Sequence, residues 1–440
     1  MKKKSFVWHP NTQMSEWGSF TEIIKAKGMW LTDTSGNNLL DGVASMWCNV
    51  WGHSKPELVN AILKQSKKLQ HSSMFNLTNE PAEKLAKSLV EISPGMYKVF
   101  YSDNGSSAME IALKLALQYW NNIGEVKKTK IATLENGYHG DTFGAMSVGY
   151  IPEFFGKFKK QLFSTIQIPV PNEYRIPKGF TFQDYQNTCL EKIENKFLKD
   201  NKIAAFVMES GAQVAGGVII FPKYFQSKIS KLCKKYNILL VLDEIATGFG
   251  RLGSMTQYTE QKSSPDIVAY GKMLTGGYMT MAATLTNKKI YDSFLGKFND
   301  WKHLFHGHTF TGNPIAAAVA NENLNLYKKN NLIKKIQKTS KIFEQYYETL
   351  YKNELVGNIR HKGMLMGIEL VKDKKNKIPI NPKKSINKII FEEGKKQGIY
   401  LRTLGNIVML VPPLAITEKE LDLLLVKTVK TIKSAQNQLI

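Results

Sequence analysis

The sequence is poor in cysteine and contains no long hydrophobic run. Its three cysteines, Cys48, Cys189 and Cys233, lie far apart without paired spacing, which argues against a disulfide framework and against a zinc site. No stretch of about 18 apolar residues occurs that could span a membrane, and the amino-terminal residues lack the apolar segment of a secretory signal. We therefore expect a cytoplasmic protein without membrane contact and without a bound metal.

The charge is unbalanced but not clustered. The formal net charge is +23, and the lysines are scattered singly and in pairs over predicted helix faces such as 334–341 and 372–389. This scatter indicates a lysine-rich background rather than the basic patch that binds nucleic acid. We do not expect nucleic acid as a partner, and anionic metabolites would gain only modestly from the charge.

The length and the hydrophobic pattern favour two intimately joined domains of α/β type. The chain has 440 residues, is 43% hydrophobic and shows no low-complexity linker. Between residues 98 and 286, short apolar runs alternate with amphipathic segments, which is typical of βα units around a mainly parallel sheet. The predicted strands are 98–102, 130–134, 203–208, 238–242, 267–270 and 281–286.

Helices are predicted between these strands and beyond them. One covers 223–236, and another begins near Ser107, where Ser107 and Glu110 match the S-x-x-E capping box. After residue 312 the pattern predicts a long helix, short strands around 357–370 and 398–411, and a final helix from about 417. This tail indicates a second, smaller α+β domain.

Two charged residues follow predicted buried strands. Asp243 comes directly after the apolar run 238–242, so its carboxylate is expected at the carboxyl edge of the sheet, where ligands bind and where a buried acid needs a partner. Lys272 follows the strand 267–270 in an uncharged, glycine-containing segment. Such neighbours would desolvate its amine, lower its pKa and favour the neutral form that adds to an aldehyde. Taken singly, Lys272 is better explained as an ordinary solvated loop charge.

Taken together, the two residues match the needs of pyridoxal phosphate. That cofactor requires an amine for its aldehyde and an acid beside its pyridine nitrogen. Gly105, Ser106 and Ser107 at a helix start offer backbone N–H groups and hydroxyls to a phosphate. Tyr138, after the strand 130–134, adds an aromatic ring at the same sheet edge. The sequence therefore predicts a pyridoxal-phosphate site.

Four segments closely resemble the class III aminotransferases. They are 136–148 (NGYHGDTFGAMSV), 243–253 (DEIATGFGRLG), 271–277 (GKMLTGG) and 306–314 (HGHTFTGNP). The residues of these segments are most similar to those in members of the class that act on 8-amino-7-oxononanoate in biotin biosynthesis, and the similarity covers nearly the whole chain. The resemblance implies the fold type I of pyridoxal-phosphate enzymes. It further implies a large domain with a mainly parallel seven-stranded sheet (61–320) and a smaller α+β domain built from both termini (1–60 and 321–440).

The resemblance also assigns roles to matching residues. It gives Lys272 the bond to the cofactor, Asp243 the pyridine nitrogen and Tyr138 the stacking on the ring, while Gly105 and Ser106 hold the phosphate. Ile245 would lie beneath the ring, and Thr309 would reach the phosphate of a neighbouring subunit in a homodimer with shared sites. Five residues would shape the substrate pocket: Trp47, Asp141, Arg251, Gly307 and Arg402. Of these, Arg402 would pair with a substrate carboxylate.

Three residues near the motifs have no assigned role. Glu209 ends its strand as Asp243 ends its own, and proximity to the cofactor and a structural salt bridge are equally good interpretations. His139 and His308 flank the motifs, and each is as well explained by a scaffold role as by a catalytic one.

The amino donor is open between lysine and S-adenosylmethionine. Members of the family that use adenosylmethionine usually place aromatic residues at the positions of Asn11, Met46 and Met409, so contacts to a sulfonium donor are missing here, although Trp47 remains. We therefore take lysine as the hypothesised donor. The alternatives are another class III ω-aminotransferase acting on ornithine, 4-aminobutyrate or a diamine, and, more remotely, a non-catalytic protein that binds pyridoxal phosphate or nucleic acid.

Overall fold

A computed structural model describes residues 5–440 of the chain. Its strands are β1 Ile23–Lys27, β2 Trp30–Asp33, β3 Asn38–Asp41, β4 Lys98–Ser102, β5 Lys130–Leu134, β6 Ile166–Ile168, β7 Ile203–Glu209, β8 Ala212–Gln213, β9 Ile219–Ile220, β10 Leu239–Asp243, β11 Ile267–Tyr270, β12 Ala282–Thr286, β13 Val356–Lys362, β14 Leu365–Asp373, β15 Ile378–Pro379, β16 Ile399–Tyr400, β17 Arg402–Leu404 and β18 Ile407–Leu410.

The helices lie between and after these strands. They are α1 Ala44–Trp47, α2 Pro56–Lys68, α3 Glu80–Ile92, α4 Gly105–Asn122, α5 Phe143–Val148, α6 Pro152–Phe155, α7 Phe182–Lys199, α8 Phe225–Lys235, α9 Gln257–Glu260, α10 Lys288–Ser293, α11 Pro314–Asn330, α12 Leu332–Thr339, α13 Tyr347–Tyr351, α14 Ile386–Lys396 and α15 Glu418–Leu439. Short 3-10 turns include Lys272–Thr275.

The central sheet has seven strands in the order β4-β12-β11-β10-β7-β5-β6. Strand β12 is antiparallel to both of its neighbours, and the other pairs are parallel. This confirms the predicted mainly parallel sheet and its six predicted strands. The seventh strand, β6, was not predicted from its residues because it is three residues long and only one of them is buried.

Both faces of the sheet are covered, which explains why its strands are apolar throughout. Leu239 and Val241 of β10 face the cluster that contains helix α4, whereas Leu240 and Leu242 face the larger cluster on the other side. Side chains alternate between the two faces along a strand. The residues that end such strands are therefore held by packing on two sides.

The segments before and after the central sheet pair with each other. Strand β16 lies parallel to β3 and completes the sheet β1-β2-β3-β16, while β13-β14-β18-β17 form a second sheet with β15 on its edge. The domain boundaries at residues 60 and 320 stay predictions. Within residues 5–440, no helix combines the length and the apolarity that crossing a membrane requires.

Helix α4 is confirmed, but it begins at Gly105, three residues before the start that a capping box at Ser107 predicts, so the capping box was wrong. Asn104 is the N-cap, and its side chain accepts a hydrogen bond from the backbone N–H of Ser107 at 3.0 Å. The Glu110 side chain instead accepts hydrogen bonds from Thr142 and from the backbone N–H of Ala145. An asparagine in extended conformation caps as well as serine does, and it places Gly105 and Ser106 in the first turn.

Candidate active site

The site is built where three strands of the central sheet end. Asp243 ends β10 and Glu209 ends β7, and the two residues are paired in register. Strand β11 lies on the other side of β10 and ends at Tyr270, two residues before Lys272. Because the carboxyl ends of parallel strands meet at one edge, the topology brings the amine and both carboxylates together, as the sequence predicts for Lys272 and Asp243.

Lys272 is half-buried, and its backbone has a φ of 41°, in the left-handed region that lysine rarely adopts. Burial lowers the pKa of its amine, and the negative charges of Asp243 and Glu209 oppose that shift. Its Nζ lies 5.6 Å from the ring centroid of Trp47, and it forms no ion pair within the described part of the chain. Strain of this kind concentrates at functional sites. The structure thus provides the less basic amine that the sequence predicts.

Asp243 is anchored by two partners. One carboxylate oxygen accepts the backbone N–H of Ile245 at 2.9 Å, and the other lies 2.8 Å from Nδ1 of the buried His139. A buried carboxylate is costly unless it is hydrogen-bonded or paired. His139 therefore serves as the partner of Asp243, which answers the question that the sequence left open.

Glu209 holds the segment that carries Tyr138. Its carboxylate accepts the backbone N–H of Tyr138 at 3.3 Å and that of Val214 at 2.9 Å. Burial raises the pKa of Glu209 to about 7, His139 acts in the opposite direction, and Asp243 adds to the rise. It forms no salt bridge with a lysine or arginine in residues 5–440. The structural salt bridge considered for it is thus replaced by backbone hydrogen bonds.

Tyr138 is half-buried at the same edge. Its hydroxyl donates to Asp141 at 3.0 Å, and its ring lies parallel to that of Phe155 at 6.2 Å between centroids. Burial, followed by the charge of Asp141, raises the pKa of Tyr138 above its usual range, so the phenol stays neutral. The backbone N–H of Asp141 donates in turn to Ser106 at 3.2 Å. Tyr138 and Asp141 are thus tied to the first turn of α4.

The first turn of α4 forms a cradle of backbone groups, and glycines line it where a side chain would not fit. A Cβ atom on Gly140 would lie 2.0 Å from the Ser106 hydroxyl oxygen, and one on Gly105 would lie 2.9 Å from Ile245. Ile245 also lies against Gly271, next to the lysine, because a Cβ there would be 3.2 Å away. Backbone N–H groups at a helix start bind anions, and the helix dipole adds to this. The cradle fits a phosphate group.

A strained turn places Trp47 beside Lys272. Ala44, Ser45 and Trp47 have φ values of 49°, 59° and 66°, and each such non-glycine residue costs roughly 1–3 kcal/mol. The turn is assigned as α1, but its residues do not follow helical dihedrals. Trp47 is nevertheless 8% exposed and belongs to one buried apolar cluster with Leu252 and Met409. Other contacts must therefore hold this conformation.

Asp41 supplies those contacts, and sequence reasoning missed it. Its fully buried carboxylate accepts the backbone N–H groups of Val43 at 3.2 Å and of Ser45 at 2.7 Å, and it lies 3.0 Å from Nε2 of His53. Hydrogen bonds to a charged group contribute about 1.5–3 kcal/mol each, which is the size of the strain. An Asp-Gly pair ahead of Trp47 was the available signal in the sequence.

The two arginines of the predicted pocket differ in their surroundings. Arg402 lies with one guanidinium nitrogen 3.3 Å from the Met46 sulfur and has no carboxylate partner among the described residues. Arg251 is 1% exposed and donates to the carbonyls of Met364 and Pro412, at 2.9 and 2.7 Å. Burial lowers the pKa of Arg251 to about 10. Arg251 thus joins β10's loop to the carboxyl-terminal segments, and its role in substrate binding stays a prediction.

The predicted residues of the 306–314 motif lie apart from this cluster. Thr309 is exposed and has no hydrogen bond to the residues around Lys272, and Gly307 lies against the ring of Phe75. His308 Nδ1 is 3.1 Å from Asp103 but is not aligned for a hydrogen bond. Within residues 5–440, no group of three or more His, Cys, Asp or Glu side chains could hold a metal ion.

The model of the aminotransferase class-III family matches residues 14–432. The chain belongs to the class III aminotransferases. This aminotransferase is 41% identical, over 97% of its chain and 96% of the relative, to the adenosylmethionine-8-amino-7-oxononanoate aminotransferase of Geobacter sulfurreducens. A crystal structure of the enzyme of that name from Methanocaldococcus jannaschii is 39% identical with a TM-score of 0.90, covering 98% of this chain and 97% of that one.

A second solved structure is similar in fold at lower identity. It is the omega transaminase of Pseudomonas jessenii in complex with PMP, 28% identical with a TM-score of 0.94, and the match covers 99% of this aminotransferase and 97% of that chain. Class III aminotransferases depend on pyridoxal phosphate. The amine of Lys272, whose pKa burial lowers, the anchored carboxylate of Asp243 and the cradle at Gly105 and Ser106 fit that group.

Replacing Asp41 by asparagine should weaken the turn that carries Trp47. We expect the Asp41→Asn variant to lose about 1–3 kcal/mol of unfolding free energy, because one hydrogen-bond acceptor and the charge are lost. We also expect a fall in kcat. Denaturant titration and steady-state kinetics measure the two effects.

The matched control is Asp33→Asn. Asp33 is also a buried carboxylate that accepts two backbone N–H groups, from Ser35 and Asn37, but it does so in the β2–β3 turn. This variant should lose stability while keeping kcat. Equal loss of kcat in both variants would show that Asp41 has no specific connection with the site.

Proposed function

We propose that this aminotransferase converts 8-amino-7-oxononanoate to 7,8-diaminononanoate in biotin biosynthesis. The observation that carries the proposal is the similarity to enzymes named for this acceptor, which reaches 41–43% identity over at least 95% of the chain. The gamma aminobutyrate transaminase of Solanum lycopersicum is 31% identical over 94% of the chain. The difference favours 8-amino-7-oxononanoate over the alternative ω-amine substrates.

The residues around Lys272 support a simple division of work. When bound, pyridoxal phosphate supplies an electron-poor ring that keeps the amino group between the two half-reactions. Asp243, held in place by His139, would keep the ring nitrogen protonated. In its unprotonated form, Nζ of Lys272 would remove a proton from the amino-bearing carbon of the donor, and it would later return one to the acceptor carbon. Tyr138 would cover one face of the ring, and Ile245 the other.

The acceptor's carboxylate would bind Arg402. Its guanidinium has no carboxylate partner among residues 5–440, and one of its nitrogens lies 3.3 Å from the Met46 sulfur. A planar guanidinium binds a carboxylate through two parallel hydrogen bonds. Trp47, Asp141 and Gly307 would form other parts of the pocket wall.

We propose lysine as the amino donor. Met46 is 44% exposed beside Arg402 and Met409 is buried, so neither offers an aromatic face to a sulfonium. Each desolvated aromatic face contributes about 0.5–2 kcal/mol to cation binding. The names of the relatives specify adenosylmethionine instead, which makes it the rival donor.

The chain is further proposed to form a cytoplasmic homodimer in which Thr309 reaches the partner's phosphate site. Phe75 is 63%, Phe305 61% and Phe310 55% exposed, and Phe75 lies against Gly307 beside the exposed Thr309. Large exposed apolar groups in one region are typical of a protein–protein interface. A second copy of the chain would cover them.

Removing the amine of Lys272 should abolish turnover. We expect Lys272→Ala to lower kcat at least 10²–10⁴-fold, roughly the contribution of a general acid–base group, and to retain the cofactor only weakly. Lys262→Ala is the matched control, because Lys262 is exposed and also has a positive φ, of 51°. Undiminished turnover by Lys272→Ala would rule out the assignment.

A parallel assay of donors and acceptors tests the substrates. The purified holoenzyme is offered 8-amino-7-oxononanoate with lysine, with S-adenosylmethionine or with alanine, and diamine formation is followed. We expect product with lysine. Product with adenosylmethionine alone would overturn the donor. No diamine with any of the three donors, from an enzyme that does turn over 4-aminobutyrate or ornithine in a separate assay, would overturn the acceptor.

Sedimentation tests the dimer. The holoenzyme should have twice the mass of one chain, and Phe310→Asp should shift it toward the monomer by burying a charge at the interface. Leu198→Asp places the same charge at a leucine that is 66% exposed on α7 and should leave the mass unchanged. A monomeric wild-type holoenzyme would refute the shared site.

A further inference from the structure

Helix α4 carries a polar side chain at every fourth position from 106 to 122, and each one is bonded to a neighbouring loop. Four residues advance an α-helix by one turn and about 40°, so these positions wind slowly around the helix. The first two, Ser106 and Glu110, hold the segment 141–145 of the phosphate cradle. The last three face a different loop.

That second loop is the segment 302–306. The Lys114 ammonium donates to the Phe305 carbonyl at 3.2 Å and lies 3.1 Å from Nδ1 of His306. Burial, followed by the charge of Lys114, lowers the pKa of His306, so a neutral ring is available to accept this hydrogen bond.

The next two positions continue the attachment. The Gln118 amide donates to the carbonyls of Lys302 and His303, both at 3.1 Å, and the Asn122 amide donates to the Lys302 carbonyl at 3.1 Å. The segment has no regular secondary structure, and backbone carbonyls outside helices and sheets need other partners. Helix α4 provides these partners for three carbonyls.

The attached segment leads directly to Thr309, the residue proposed to reach the other subunit. Gly307 and Thr309 follow within a few residues, and Thr309 is exposed. The first turn of the same helix forms the chain's own phosphate cradle at Gly105 and Ser106. One helix of 18 residues, about 27 Å long, therefore connects the chain's own cradle to the segment that would complete the partner's cradle.

We propose that Lys114, Gln118 and Asn122 are positioning residues that set the place of Thr309 and thereby determine how tightly the partner subunit binds pyridoxal phosphate. The inference rests on the proposed dimer with shared sites. It assigns a function in trans to side chains that lie outside the site of their own chain.

The first test uses Gln118→Leu, which removes two hydrogen bonds while keeping a good helix former. Asn121→Leu is the matched control, because Asn121 lies on the same helix, is exposed and has no side-chain hydrogen bond in the described part of the chain. Apoprotein is titrated with pyridoxal phosphate and the dissociation constant is read from the cofactor absorbance.

We expect the dissociation constant to rise about tenfold for Gln118→Leu, because the loss of two neutral hydrogen bonds changes an equilibrium constant by about this factor. For Asn121→Leu it should change less than about twofold, which is the scale of an ordinary surface substitution. Both variants should remain dimers in sedimentation. Equal dissociation constants for the two variants would overturn the proposal.

The second test uses mixed dimers to separate action in trans from action in cis. In a dimer of a Lys272→Ala chain with a Gln118→Leu chain, the only functional Lys272 is on the Gln118→Leu chain. The Thr309 that would complete its site comes from the other chain, in which Gln118 is intact. The second mixed dimer joins a wild-type chain to a chain with both Lys272→Ala and Gln118→Leu. Its only functional Lys272 is on the wild-type chain, and the Thr309 that would complete that site comes from the chain with Gln118→Leu. The cofactor concentration that gives half-maximal turnover is measured for each.

We expect the first mixed dimer to match the wild type and the second to need about ten times more cofactor, as the homodimeric variant does. The reverse order would show action in cis, and equal values would show no positioning role. Either result overturns the proposal and leaves the proposed dimer standing. A monomeric wild-type holoenzyme would instead refute the dimer and the proposal together.

Discussion

The cost of burying charged groups at one sheet edge is the constraint on which the rest of the site depends. Asp243 and Glu209 end adjacent strands that are packed on both faces, so neither can reach bulk water. Each carboxylate has its own hydrogen-bond partners: His139 and a backbone N–H for Asp243, and two backbone N–H groups for Glu209. Within residues 5–440 this leaves the Lys272 amine without an ion pair, which is what a reactive amine requires.

The same principle recurs in the turn before Trp47. Its left-handed residues are conformationally costly, and the fully buried Asp41 carboxylate stabilises the turn through backbone N–H groups and His53. The indole is therefore held at the lysine by a buried charge rather than by regular secondary structure. Strain and its compensation lie within a few residues of each other.

The sequence predicts the central sheet and the position of Lys272, Asp243, Tyr138 and the phosphate cradle at its carboxyl edge. It does so because a continuous apolar strand ends visibly at the first polar or glycine residue that follows it. It does not predict the partners of Glu209, since an acid that ends a strand can equally well meet a cation or a backbone N–H. The capping box failed because Asn104, three residues before Ser107, caps the helix first. Local rules do not rank two competing caps.

The bonds from α4 to the segment 302–306 could not be predicted either. They join side chains to backbone carbonyls about 180 residues later in the chain, and a carbonyl leaves no mark in the sequence. The role proposed for Thr309 depends on a second subunit, which no pattern within one chain shows. The resemblance to a family, and not the residues themselves, carries that expectation.

The central claim is that Lys272 is the residue that bonds pyridoxal phosphate. The most direct measurement is to reduce the holoenzyme with sodium borohydride, digest it and locate the pyridoxyl group by mass spectrometry. The account predicts the added mass on Lys272 and on no other lysine in stoichiometric amount. Stoichiometric modification of a different lysine, or none in a protein saturated with cofactor, would contradict it.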